Sequence, residues 1–278
     1  MTFLVLLLML GIAWTATWRT RLQYDGWWLA LLRETERHMP RRSWLALTVL
    51  LVVPLILLML TLTILQPVMY GWLVLPVHVI VLVYSLGRHD PRAALEGFRD
   101  SWQRGDLEAA ALRAEQTLGL QAETPEALLN RVQDQLLWRG YQGFFAVIFW
   151  YVLLGPLMTL AYRLVVLTAE QTTHPVLRSH ALQLAHTLDW IPVRILTGSF
   201  AVVGDFLAAS RAVLADLFNW DIPAARLLSE AGRASTNVPL LSSGENGAQS
   251  LDVFWQLLVR SAVLWYVVVA CWTLLRAA

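Results

Sequence analysis

No lysine occurs in this chain, and all 21 basic residues are arginine. A genome rich in G and C produces that bias, so no function is read from it. Charge is scarce too, at 15% of 278 residues, against about 25% in a soluble domain. A formal net charge of +1 leaves no electrostatic footprint for nucleic acid. Cys271 is the single cysteine, which excludes an intrachain disulfide and leaves the redox compartment unread. It lies in an apolar run and reads as a small packing residue. The six histidines, His38, His78, His89, His174, His180 and His186, never fall three or four residues apart, so no helix face offers two as metal ligands. A Gly-x-x-x-x-Gly-Lys phosphate loop is impossible without lysine, and no Gly-x-Ser-x-Gly elbow occurs. Neither a metal nor a cofactor is expected.

What the chain has in excess is apolar length. Hydrophobic residues make up 57% of it, and mean hydropathy is +0.54. Residues 1–18, 44–65, 68–86, 143–167 and 253–275 form runs interrupted only by Arg163 and Arg260. Each approaches the roughly 20 residues that cross a hydrocarbon core. Lipid gives backbone polar groups no water to bond, so such runs are helices or closed barrels. Alternating strands are absent, which leaves helices. The pattern predicts an all-α integral membrane protein with about five transmembrane helices, as a single polytopic domain over residues 1–278.

Arginines set the expected topology. No basic residue precedes the first run, whereas Arg19, Arg21, Arg33, Arg37, Arg41 and Arg42 follow it. It reads as a retained helix with its start outside, rather than a cleaved signal peptide. Gln66-Pro67 makes an uncharged outside turn. The 88–140 region, with Arg88, Arg92, Arg99, Arg104, Arg113, Arg131 and Arg139, is then a cytoplasmic helical loop. The long polar and amphipathic loop 168–252 departs from the pattern, because it also carries five arginines: Arg178, Arg194, Arg211, Arg226 and Arg233. Within it, residues 191–218 are apolar but interrupted by Arg194, Asp205, Arg211 and Asp216. They read as one half-buried or re-entrant helix, with a true crossing as the alternative.

Inside 88–140 the chain reads as short amphipathic helices. Pro91 opens one, and Gly105-Asp106 breaks it. Asp106 caps the next, over 107–118, and Thr124-Pro125-Glu126 starts a third. That third helix aligns Leu128, Leu129, Val132, Leu136 and Leu137 on one stripe. Residues 235–250, around Ser242-Ser243-Gly244, lack periodicity and read as a flexible linker.

Two clusters carry candidate chemistry. Trp138 and Arg139 precede the fourth run, in which Gly155-Pro156 predicts a kink or a close approach. Arg163 follows two turns later. An ionisable side chain in a span is costly and points to function, with snorkelling beside Tyr162 as the plain alternative. The second cluster is Asp189, Trp190, Pro192 and Arg194. Asp189 reads as the cap of a helix with Pro192 in its first turn, and Trp190 as a headgroup-level aromatic. Asp189 can also pair with Arg194, and either Asp189 or Asp205 can neutralise Arg163. Gly155, Pro156, Gly198 and Gly204 are candidate helix-packing positions.

The segments LLWRGYQGFFAVIFWYVLLGP and LDWIPVRI, which carry these clusters, resemble the AmpE family of inner-membrane proteins associated with β-lactamase regulation. That family looks like part of the wider CobD/CbiB superfamily. The superfamily's enzymes are adenosylcobinamide-phosphate synthases, with an acidic Glu-Asn-x-x-Asp-Gly motif ahead of the middle span. Here Trp138, Arg139 and Gln142 stand where those acidic and amide groups would be. A ligase of that kind needs carboxylates to hold Mg²⁺ against phosphate. The resemblance therefore implies a retained fold with the chemistry lost.

The expected protein is a non-catalytic regulatory or sensory membrane protein of the inner membrane. Its partners would be the lipid bilayer, with either a small anionic ligand or a partner transmembrane helix from a small membrane protein. The candidate binding residues are Trp138, Arg139, Arg163, Asp189, Trp190, Arg194 and Asp205, because guanidinium groups suit carboxylate or phosphate. A CbiB-like amide-forming synthase is the alternative.

Overall fold

The computed structural model describes residues 25–38, 43–67, 72–87, 92–236 and 245–277. The expected span over 1–18, the Pro91 helix start and His89 lie outside the described residues. The chain forms two compact units: one of Met1–Arg88, Ala146–Asp189 and Val269–Ala278, the other of His89–Phe145 and Trp190–Val268. All regular structure among the described residues is helical.

In the first unit, α2 (Ser43–Leu65) and α3 (Val74–Ser85) pack on α7 (Ala146–Gln171), and α1 (Gly26–His38) packs on α2. The shared core contains Trp28, Leu32, Leu47, Leu50, Val81, Tyr84, Leu160, Leu164 and Leu167. Helix α2 turns Leu47, Leu50 and Pro54 inward and leaves Val49, Val53, Ile56, Leu57 and Leu60 exposed. That outer face suits lipid and would be an aggregation surface in water. Over 68–86 the described helix is shorter than expected. Pro76 lies in the first turn of α3, whose 12 residues rise about 18 Å, well short of the ~30 Å hydrocarbon core.

The second unit begins with a 3₁₀ turn (Ala93–Leu95) leading into α4 (Glu96–Gln103), then α5 (Leu107–Leu118) and α6 (Pro125–Gly140). Both expected caps form: Ala109 N–H donates to Asp106 Oδ1 at 3.0 Å, and Ala127 N–H to Thr124 Oγ1 at 3.2 Å. Gly119 closes α5 with φ 69°, as a C-terminal glycine does. The stripe Leu128, Leu129, Val132, Leu136 and Leu137 is buried. After α6 the helix widens into a π turn at Tyr141–Phe145 and continues as α7. Among the described residues, the run Pro125–Gln171 is one of three helices long and apolar enough to cross a membrane, with Trp44–Leu65 and Gly247–Thr273.

The loop 168–252 differs most from expectation. Its first helix, α8, is Pro175–Val203, and Asp189 and Pro192 lie inside it rather than at its start. Leu177, Ala181, Ala185, Asp189, Val193, Leu196 and Phe200 are all buried, at the three- and four-residue spacing of one face. That continuous stripe holds the helix together through Pro192. Residues 191–218 are also not one helix. The chain breaks at Gly204-Asp205 before α9 (Phe206–Val213), where Asp205 Oδ1 accepts from Ala208 N–H at 3.0 Å. Next come α10 (Ala224–Thr236) and α11 (Glu245–Ala277). The expected linker 235–250 is therefore helical at both described ends, and residues 237–244 lie outside the description. Ser250 is buried, with its hydroxyl accepting from Gln133 Nε2 at 2.7 Å. That bond holds the start of α11 on α6.

Gly204 is where α9 and α10 meet most closely. Asp205 N–H donates to Ser235 O at 2.9 Å, and a Cβ added at Gly204 would lie 2.5 Å from that same oxygen. Gly204→Ala must displace the carbonyl and break this bond. The expected cost is about 1–3 kcal/mol, read as a lowered Tm of the detergent-solubilised protein. Asp106→Ala should cost about 1 kcal/mol through loss of its cap, so it should lower Tm less than Gly204→Ala does.

Candidate functional site

Helix α7 carries two successive polar side chains into the core of the first unit. Gly155, at φ 76° and ψ −164°, interrupts its helical geometry just before Pro156. Only glycine adopts that φ without strain. The expected kink is present, whereas a close approach is not: no described atom lies within 4 Å of a Cβ built there. Thr159 Oγ1 donates to the Gly155 carbonyl at 3.0 Å, supporting the backbone beside the break.

One turn beyond, Tyr162 OH donates to Asp189 Oδ1 at 2.8 Å, with both residues buried. Arg163 approaches a different acid: its Nη2 lies 3.9 Å from Asp25 Oδ2, just ahead of α1. The counter-ion is therefore neither Asp189 nor Asp205, as expected, but Asp25. Snorkelling would leave the guanidinium in a polar layer, yet the Arg163 side chain is 13% exposed and that of Asp25 3%. Among the described residues, the Nε of Arg163 and the indole Nε1 of the core residue Trp28 find no acceptor. Burying two charges is costly unless each is well paired, and at 3.9 Å this pair is loose. The site thus holds a charge pair with unused donor capacity inside an apolar helical core.

Two further links in this unit were not legible as chemistry. The Thr172 hydroxyl and the backbone and hydroxyl of Thr173 donate to the Glu36 carboxylate, which fastens the α7–α8 turn to α1. His78 Nδ1 and Tyr151 OH share a hydrogen bond of 2.9 Å between α3 and α7. Each joins residues more than 70 positions apart, and a pair that distant leaves no spacing signal.

The second unit holds the remaining candidates. Trp138 and Arg139 are half-buried at the end of α6, with Trp138 tilted against Tyr141 at 5.3 Å. Arg139 makes no ion pair with a described residue. Arg194 donates from all three of its nitrogens, and to carbonyls rather than a carboxylate. Its Nη1 donates to Trp190 O and its Nη2 to Asn219 O, each at 2.8 Å, and its Nε donates to Leu217 O. The guanidinium lies 4.0 Å over the Trp190 ring, and Trp190 packs against Trp220 at 5.7 Å. Asp205 serves as a helix cap. Gly198 is exposed, with open space above it among the described residues, whereas Gly204 is the packing position. Arg163 with Asp25, Asp189 with Tyr162, and Arg194 with Trp190 are the associations that form. Among the described residues, no three His, Cys, Asp or Glu side chains gather as metal ligands would.

Residues 1–235 match the family model described as regulatory signalling modulator protein AmpE. A curated relative, Protein AmpE of Shigella flexneri, is 28% identical over 152 residues, covering 50% of this chain and 54% of the relative. The aligned stretch thus spans about half the length of that relative. No solved structure matches the chain. The apolar helices and the family match agree on a regulatory membrane protein, and the chain belongs to the AmpE family.

Proposed function

We propose that this protein is a multi-pass inner-membrane regulator of β-lactamase expression that acts by binding rather than by catalysis, with Arg163 as the centre of its response. One observation carries this reading: a charged pair, Arg163 and Asp25, sits 3.9 Å apart in an apolar core, with no acceptor for the guanidinium Nε among the described residues. A small carboxylate- or phosphate-bearing ligand that supplies a close bidentate acceptor competes directly with Asp25. Its binding exchanges one pairing of the helices for another.

The test is made in a host with an inducible β-lactamase whose AmpE-family gene is deleted. Wild-type protein should change the induced β-lactamase level. Arg163→Gln and Asp25→Asn should each abolish the change, at matched membrane abundance. Removing one partner of a buried pair costs about 3–5 kcal/mol, so the double variant should be more stable than either single one and yet still inactive. Full regulation by both single variants would overturn the reading. An amide-forming synthase would instead rescue a cobalamin-pathway synthase mutant, and no rescue is expected.

A second reading, a partner transmembrane helix, is favoured by α8. Ile191, Ile195, Gly198 and Val202 are exposed at i, i+4, i+7 and i+11, which places them on one face with a glycine at its centre. A Cβ built at Gly198 meets no described atom within 4 Å, so for Gly198→Leu the Tm should stay within about 2 °C of wild type, as for an ordinary surface change. Loss of regulation at unchanged Tm would support docking here, and retained regulation would remove it.

A further inference from the structure

We infer that residues 206–220 form a pre-organised wedge that seats in the headgroup–acyl boundary of a phospholipid bilayer. The segment packs inward by little: Ala209 and Val213 are buried, and α9 contacts α10. Its large apolar side chains point away from the protein. Phe206, Leu207, Leu214, Phe218 and Trp220 are exposed by 49–78%. Five such residues in one short segment exceed the scattered surface apolars of an ordinary domain.

Disorder would explain the exposure more simply, but this turn is held. Arg194 donates to the carbonyls of Leu217 and Asn219 while stacking on Trp190, and Trp190 in turn packs against Trp220. Leu214 and Asp216 N–H donate to Ser210 O and Val213 O, which continues the coil past α9. A half-buried arginine with all its bonds turned to backbone fixes the shape of a turn whose side chains the protein itself leaves uncovered.

The choice of lipid over another occupant rests on continuity and on the polar residues. The exposed face of α8 ends at Val202, and Phe206 and Leu207 resume the apolar surface directly after the break. In α9 and the following turn, Leu207, Arg211 and Leu214 follow at i, i+4 and i+7. They share one face, with Arg211 exposed and making no ion pair to a described residue. Apolar side chains flanking a free guanidinium match an acyl surface under a layer of phosphates. Arg211, Asp216, Asn219 and Asp221 exclude the hydrocarbon centre, and the two tryptophans suit the interface. This inference does not depend on what the protein regulates or on the Arg163 site.

Spin labels at single cysteines test it on the full chain. In a Cys271→Ser background, Leu207→Cys, Leu214→Cys and Phe218→Cys are labelled and the protein is reconstituted in phosphatidylethanolamine/phosphatidylglycerol vesicles. Power saturation compares collision with oxygen and with a water-soluble nickel chelate. Val263→Cys on α11 and Arg226→Cys on α10 serve as the lipid and water references. All three test sites should favour oxygen over nickel, as Val263→Cys does, at a shallower depth. A water-like response matching Arg226→Cys would overturn the proposal, as would protection from both reagents, the signature of a protein partner. In the same background, Arg194→Gln should sharpen the label spectrum at position 218 as the turn loosens. An unchanged spectrum there would overturn the pre-organisation.

Discussion

A polar side chain carried into an apolar helix finds no water, so its partner has to come from elsewhere in the chain. That constraint organises both units of this protein. On α7, Tyr162 is buried and the adjacent Arg163 largely so, and each meets an acid from a different element: Asp189 from α8 and Asp25 just ahead of α1. The core of leucines, valines and Trp28 around them supplies the burial energy but no direction. The polar pairs decide which residue of one helix faces which residue of another.

The two partly buried arginines, Arg163 and Arg194, resolve the constraint differently. Arg163 meets a carboxylate loosely and has no described acceptor at its Nε, a poor arrangement for stability. Arg194 meets two backbone carbonyls and its own i−4 carbonyl while lying on an indole face, so each of its nitrogens is tied to backbone. The two arginines thus differ in how far their donors are taken up: one is loosely paired, and the other fastens a turn. Residue type alone does not separate them, because a guanidinium suits either task.

Local readings from sequence held where the physics is local. The Asp106 and Thr124 caps, the buried stripe of α6 and the Gly155-Pro156 kink each depend on residues within one or two turns. Misreadings came where distant partners intervene. Asp189-Trp-Ile-Pro192 has the composition of a helix start, yet the buried stripe from Leu177 to Phe200 carries α8 straight through it. That stripe was present in the sequence at three- and four-residue spacing, with Asp189 on its buried side, and would have warned against the capping assignment. Asp25 had no such signal, because nothing in its neighbourhood points to a residue on α7.

The amino-acid sequence by itself determined that this is a helical membrane protein, where the three long apolar helices among the described residues run, how the Asp106 and Thr124 helices are capped and which family it belongs to. Hydropathy, periodicity and capping act over a few residues, so they are written directly into the chain. Only the tertiary structure decided that Arg163 answers to Asp25, that Asp189 answers to Tyr162, and that Arg194 holds a turn instead of an anion. Such pairings depend on which helix faces come together. Packing selects those faces from many of equal hydrophobicity, which leaves no local trace.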